Sequence, residues 1–171
     1  MAKAPFLVHF QQNLCESLRH LVQEQWGLKH IVVCEEKGDL EGAFGGYIDI
    51  AIFDKNNTKS IVAIEIENKS SYLQARTNIE KLKKWSHNSQ YRACSLLQVF
   101  NDDCSIKEKQ ICNLLRFAKE VERKGKGFYY DFAFFSVPDY RMKKTLAYGL
   151  VDSLDFRTRL RNLLEDAGFT E

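Results

Sequence analysis

Proline and glycine are scarce in this chain of 171 residues, at two and nine. Neither a collagen-like repeat nor a flexible low-complexity tract fits that composition. Cysteine is present without a framework. Cys15, Cys34, Cys94, Cys104 and Cys112 are odd in number and form no C-x-x-C. The expectation is therefore reduced, mostly buried thiols rather than a disulfide scaffold. His9, His20, His30 and His87 stand at no spacing that would build a zinc site with these cysteines. An excess of one charge is missing too. Lysine and arginine number 25 against 23 acids, a formal net charge of +2, so any nucleic-acid partner must be argued from where the charges sit. No apolar run approaches the length of a membrane span, and the first residues, MAKAPFLVHFQQ, lack the apolar core of a signal peptide. The expectation is a soluble, cytoplasmic protein.

What is there is an ordinary folding composition, 44% hydrophobic and 28% charged. The length suits a single domain over residues 1–171. Phe6, Leu7, Phe10, Leu14, Leu18, Leu21 and Val22 recur at three- and four-residue spacing, which predicts a helix from Phe6 to Trp26 that stops at Gly27. A short strand follows over Leu28–Glu35, then a loop rich in glycine and acid. Two strands, Tyr47–Phe53 and Ser60–Glu67, flank the polar turn DKNNTK. A second helix covers Ser71–His87, with Ala75, Ile79, Leu82 and Trp85 on one side. A strand at Cys94–Phe100 is too continuously apolar for a sheet edge. A helix at Ile106–Arg123, a basic loop RKGKG, a strand at Phe128–Val137 and a helix at about Val151–Ala167 complete the chain. The order αβββαβαβα places the protein in the mixed α/β class.

Carboxylates inside this pattern demand an account. Asp49, Glu65 and Glu67 lie within two runs that otherwise read as buried strand, and burying a charge is costly unless it is paired or holds a metal. Alternation puts Ile48, Ile50 and Ile52 on one face of their strand and Val62, Ile64 and Ile66 on one face of the next. The three acids then share the opposite face. A reversal centred near Asn57 sets Asp49 across from Glu65, with Cβ atoms about 5 Å apart. Like charges that close repel unless a divalent cation lies between them or one stays protonated. The same register brings Lys69 near Gly45 and Gly46, where missing side chains would let a substrate backbone approach. The other way to place these acids is an exposed sheet face on which they pair with lysine or arginine.

The αβββαβ order, with an acid on the second strand and Glu65-Ile66-Glu67 followed by Lys69 on the third, resembles the PD-(D/E)XK nuclease superfamily over roughly residues 5 to 100. The proline that often precedes the first acid is replaced by Ile48. The third motif position, usually lysine, is occupied by Glu67, an E-x-E variant. Aligning Glu67-Asn68-Lys69 instead restores the usual lysine but moves the metal acid out of register with Asp49.

The resemblance implies a restriction-endonuclease-like αβββαβ core carrying an additional C-terminal helix-strand-helix. It implies hydrolysis of a phosphodiester by a divalent-metal-dependent DNA endonuclease. Asp49, Glu65 and the carbonyl of Ile66 would be ligands to Mg²⁺ or Mn²⁺, with Glu16 of the first helix as a further ligand. Glu67 would act as base or second-metal ligand, and Lys69 or a basic residue of the second helix would stabilise charge on the phosphate. Gln98 resembles a glutamine found near the site in some branches of the family, and a strand-end amide bonded to backbone is the alternative.

Arg76, Lys81, Lys83, Lys84 and Arg92, with the Arg123–Lys126 loop, would contact phosphates. Equally, they read as solvated helix residues, with Glu80–Lys84 a simple pair. Cutting both strands of a duplex would call for a homodimer. The competing function is a nuclease-fold module that binds nucleic acid or a protein partner with cleavage weak or lost. No glycine-rich phosphate loop or nucleophile–base pair supports a small-molecule enzyme.

Overall fold

The computed structural model describes residues 5–38, 47–56, 60–67, 71–88, 93–101, 106–124, 128–135 and 149–169. They form helices α1 (Pro5–Arg19), α2 (Tyr72–Asn88), α3 (Glu108–Lys124) and α4 (Leu154–Asp166), and strands β1 (Ile31–Gly38), β2 (Tyr47–Asp54), β3 (Ser60–Glu67), β4 (Ala93–Asn101) and β5 (Phe128–Phe135). The order is the one the hydrophobic periodicities predict. The five strands make one sheet in the spatial order β1-β2-β3-β4-β5. The pairs β1–β2 and β2–β3 are antiparallel, whereas β3, β4 and β5 are parallel and are connected through α2 and α3. β4 lies between β3 and β5, as its apolar sequence requires.

Several boundaries differ from the periodicity: β1 runs to Gly38 rather than Glu35, α3 begins at Glu108 rather than Ile106, and α4 begins at Leu154 rather than about Val151. The first helix does not stay α-helical to Trp26 but ends in a π-helical turn, His20–Gln25. There Trp26 N–H reaches Leu21 O at 2.9 Å, and Gly27 then reverses the chain at φ 71°. Leu28 belongs to this reversal rather than to a strand. Its N–H returns to Val22 O, its carbonyl accepts Ile31 N–H, and β1 begins only at Ile31.

The sheet is covered on both faces. On one, Phe10, Leu14, Leu18, Leu21 and Val22 of the first helix and Phe156, Leu160 and Leu163 of α4 pack on Ile50, Ile52, Val62, Ile64, Leu97 and Val99. Phe10 stacks on Phe135 with ring centroids 4.4 Å apart. On the other, Ala75, Ile79 and Leu82 of α2 and Ile111, Leu114 and Ala118 of α3 pack on Ala51, Ile61, Ala63, Leu96 and Phe100. The expected face of isoleucines holds for Ile50, Ile52, Val62 and Ile64, and half-buried Ile66 packs against it. Ile48 departs from it and packs with Ala51 and Ala63. Of the cysteines, Cys15 is buried, Cys34 half-buried and Cys112 exposed, all as free thiols. Cys104 lies outside the described residues. Burial pushes the Cys15 thiol up to about 11, against the pull of Arg19, so it is an inert packing group.

Candidate functional site

The hairpin register positions the acids. β2 and β3 pair from Phe53–Ile61 to Ile50–Ile64, the register expected from a reversal at Asn57, although Asn57 itself lies outside the described residues. The next step of that register would be Asp49 opposite Glu65. Instead of continuing the main-chain ladder, the Asp49 carboxylate turns inward, and its Oδ2 accepts the N–H of Ile66 at 2.8 Å. Beyond Ile50, β2 remains paired with β1 alone. Gln11, buried on α1, donates from Nε2 to the Asp49 carbonyl at 2.8 Å. The first acid is thus held from both sides, by β3 through its carboxylate and by α1 through its main chain.

Glu65 and Glu67 lie on the α2 side of β3, at 5% and 1% exposure. These are the carboxylates found buried among the described residues. Lys81 of α2 reaches across to Glu65, with Nζ 2.7 Å from Oε1. Burial nevertheless pushes the Glu65 carboxyl up to about 8 against the attraction of Lys81, and the charges of Asp49 and Glu67 add to the rise. The dominant cause is desolvation, which disfavours the ionised form, and one ammonium does not offset it.

Glu67 is held differently. Its Oε1 accepts from Asn78 Nδ2 and from Gln98 Nε2, each at 2.8 Å. Gln98 also donates to Ala75 O at 2.9 Å and accepts from Tyr130 OH at 2.6 Å. The chain Tyr130–Gln98–Glu67–Asn78 thus ties β5, β4, β3 and α2 together through side chains. Burial, with the Glu67 and Asp131 charges, drives the Tyr130 phenol above its ordinary value, so it remains a hydrogen-bond donor.

The structure therefore brings Asp49, Glu65, Ile66, Glu67 and Gln98 to one neighbourhood. It does not bring Glu16 there. Glu16 is exposed on the far side of α1 and lines a hollow with Arg19, His20, Gln23 and Glu24. Arg76 faces α3, 3.5 Å from Glu80 and with its guanidinium 4.3 Å above the Phe117 ring. Lys83 is half-buried on α2. Lys69, Gly45, Gly46, Arg92 and residues 125–127 lie outside the described residues, as do the side chains of Lys84, Arg123 and Lys124.

Gln11 and Asn78 escaped the sequence reading of the site, and Lys81 entered it only as one of several basic residues that would contact phosphates. Gln11 sits at stripe spacing between Leu7 and Leu14, and a polar residue on an apolar stripe is a legible signal. Asn78 and Lys81 lie beside the Ala75–Ile79–Leu82 stripe, on a flank that solvent could equally have claimed.

Among the described residues, no group of three or more histidine, cysteine, aspartate or glutamate side chains is arranged to hold a metal ion. What the chain offers is a pair of carboxylates, Asp49 and Glu65, with the Ile66 carbonyl next to Glu65 in sequence. Such a pair suits Mg²⁺, which keeps several waters and commonly takes one or two carboxylates together with substrate phosphate.

Neither a protein-family model nor a curated protein matches the sequence. Among solved structures, the chain is similar to Pyrococcus furiosus SfsA in complex with Ca²⁺, at 11% identity and a TM-score of 0.42. The match covers 73% of this chain and 58% of that one. No helix among the described residues is long and apolar enough to cross a membrane.

Proposed function

We propose that this chain is a divalent-metal-dependent nuclease with a restriction-endonuclease-like core, hydrolysing phosphodiester bonds in nucleic acid, most simply DNA. The observation that carries the proposal is the buried Glu65 carboxyl, adjoining Asp49 and 2.7 Å from the Lys81 ammonium. An ion pair in this setting contributes little to stability compared with apolar packing. Its retention beside a second acid is explained by chemistry on an anion.

Asp49, Glu65 and the Ile66 carbonyl are the groups that would hold Mg²⁺ or Mn²⁺. The bound ion would supply a water of lowered pKa and neutralise phosphate charge. The protein's own groups do the rest. Asp49 is oriented by Ile66 N–H and anchored through Gln11, so its carboxylate needs little rearrangement. Glu67 at the third motif position is committed to Asn78 and Gln98, and we assign it to holding β3 against α2 and β4 rather than to proton transfer. The positive charge that lysine normally supplies from β3 then comes from Lys81 of α2, which neutralises charge building on a non-bridging phosphate oxygen.

A second reading, a module that binds nucleic acid without cutting it, is favoured by that same Glu67. Its carboxylate occupies the position where the family's lysine stands. Incubation of the protein with supercoiled plasmid and with single-stranded DNA, under Mg²⁺, Mn²⁺ or EDTA, separates the two. Metal-dependent cleavage abolished by Glu65→Gln supports the nuclease. Binding without cleavage under any divalent ion makes the module the better account.

A further inference from the structure

The parallel half of the sheet lines up residues from three strands in rows. Glu65 of β3 stands beside Gln98 of β4, which stands beside Phe132 of β5. The next row on that face is Glu67, Phe100 and Phe134. Neighbouring strands lie about 4.8 Å apart, so the main chain at Phe134 is about 10 Å from that at Glu67. Both rows stand at the carboxyl ends of β3, β4 and β5, the end at which open parallel sheets take their ligands.

Phe134 is an unusual occupant of that row. Its ring is 52% exposed, whereas Phe100 and Phe135 beside it are buried. A single exposed apolar side chain is ordinary on a protein surface. This one is braced. Fully buried Phe100 lies 5.7 Å away with its ring tilted by 35°, and Phe132 meets it edge-on at 5.5 Å. The Arg159 guanidinium lies 5.0 Å from the Phe132 ring and is itself held by Asp131 at 2.6 Å. A ring fixed by packed neighbours offers its surface to a ligand at little entropic cost.

We propose that Phe134 is a stacking platform for a base of an unpaired DNA strand whose backbone crosses the acids. A base has an apolar, polarisable face that stacks on an aromatic ring whichever base it is. In a duplex that face is already covered by the neighbouring pairs, so the ring takes a base only from unpaired strand. Lys81, beside Glu65, supplies the positive charge at the other end of the rows. Cation and platform then hold successive parts of one strand. The inference rests on the nuclease reading for the course of the backbone over Asp49 and Glu65.

The test is fluorescence anisotropy of a labelled single-stranded DNA dodecamer of mixed sequence in EDTA, where nothing is cut. Phe134→Ala should weaken binding about tenfold, the worth of one stacked base. Phe134→Leu, apolar but without a π face, should bind as weakly as Phe134→Ala while unfolding at nearly the temperature of the unaltered protein. Phe134→Trp should bind at least as tightly as phenylalanine does, with indole fluorescence quenched by the strand beyond any quenching in the unaltered protein. Unchanged affinity in Phe134→Ala or Phe134→Leu, or no binding of single strand at all, overturns the platform. A dimer that Phe134→Leu converts to monomer in sedimentation would also overturn it, making the ring a contact between copies. The readout needs no metal. A protein that never cuts, yet binds single strand through Phe134, keeps the platform and loses the nuclease. One that cuts but binds equally well in all three variants does the opposite.

Discussion

The two faces of the sheet are drawn from the same strands and differ in what they bury. β3 sends Val62 and Ile64 to the face covered by α1 and α4, and β4 sends Leu97 and Val99 there. The same strands send Ala63, Glu65, Glu67 and Gln98 to the face covered by α2 and α3. The first face is packing. The second holds the carboxylates found buried among the described residues and the side-chain network around them. Polar burial of this kind yields at best a neutral stability balance. The contrast therefore separates residues that keep the chain folded, the Glu67 network among them, from Glu65, whose burial beside Asp49 stability alone does not explain.

The largest expected effects break the comparison by function. Asp49→Asn or Glu65→Gln keeps side-chain size and removes one charge. Cleavage in Mg²⁺ should fall by at least about a hundredfold, while DNA affinity in EDTA at neutral pH should rise for Asp49→Asn, which removes a negative charge, and hold for Glu65→Gln, whose carboxyl is largely protonated there without metal. Lys81→Met should lower cleavage by a similar factor if the positive charge is supplied from α2. Plasmid nicking rates for the three variants check this, and a Lys81→Met enzyme as fast as the unaltered protein would move that role elsewhere.

On the packing face the order reverses. Ile64→Ala or Leu97→Ala leaves a cavity among fully buried side chains, and should cost about 2–5 kcal/mol of stability in urea unfolding. The paired replacement Glu65→Gln with Lys81→Met removes both charges at once and should be neutral or stabilising. If that double variant is destabilised as much as Ile64→Ala, the α2 face is structural and the contrast between the faces collapses.

How far this division could be read from residues alone depends on the kind of residue. Period-2 alternation and the DKNNTK turn were enough for the strand order, the Ile50–Ile64 register and the isoleucine face. Backbone periodicity dictates those features wherever the chain packs. Asp49 and Glu65 stood out because charge inside a β-branched run is anomalous. Lys81 and Asn78 were not separable from solvated helix residues, because which flank of α2 is covered depends on how the helix lands on β3 and β4. Glu16 was offered because the family resemblance implies a glutamate on the first helix, yet it is Gln11 that lies on the stripe facing the sheet. Ile48 was assigned by alternation and packs on the other face, in the part of β2 that pairs with β1 but no longer with β3.

A subtler difference between the faces is their response to pH. Glu65 has a folded-state pKa of about 8, above its ordinary value of 4.5. The folded state therefore binds this proton more tightly than the unfolded chain. The stabilisation is fully present below about pH 4.5 and is lost as pH rises toward 8. Within that window it contributes a slope of about 1.4 kcal/mol per pH unit. Urea unfolding without metal, compared between the protein and Glu65→Gln, should show this slope in the first and not in the second. Saturating Mg²⁺ should flatten it, because a cation favours the ionised carboxylate. An identical pH profile for the two proteins would mean that Glu65 ionises as it does in water.

The smallest effect is expected on the outer flank of α2, where Arg76 invites the reading of a phosphate contact. Its guanidinium already lies over Phe117 and beside Glu80. A cation–π contact at a partly exposed site contributes about 0.5–1 kcal/mol, and an exposed helical ion pair about 0.3–0.5 kcal/mol. Arg76→Ala should therefore cost up to about 1.5 kcal/mol of stability as the sum of the two. It should leave the salt dependence of DNA binding where it was. A residue that neutralises a phosphate behaves otherwise, since its loss reduces the slope of log affinity against log salt by about one unit. Titrating a DNA oligonucleotide at several salt concentrations distinguishes the two outcomes. An unchanged slope confines binding to the flank that carries Lys81. A slope reduced by a full unit would extend the nucleic-acid surface around α2 to α3 and make Arg76 part of it.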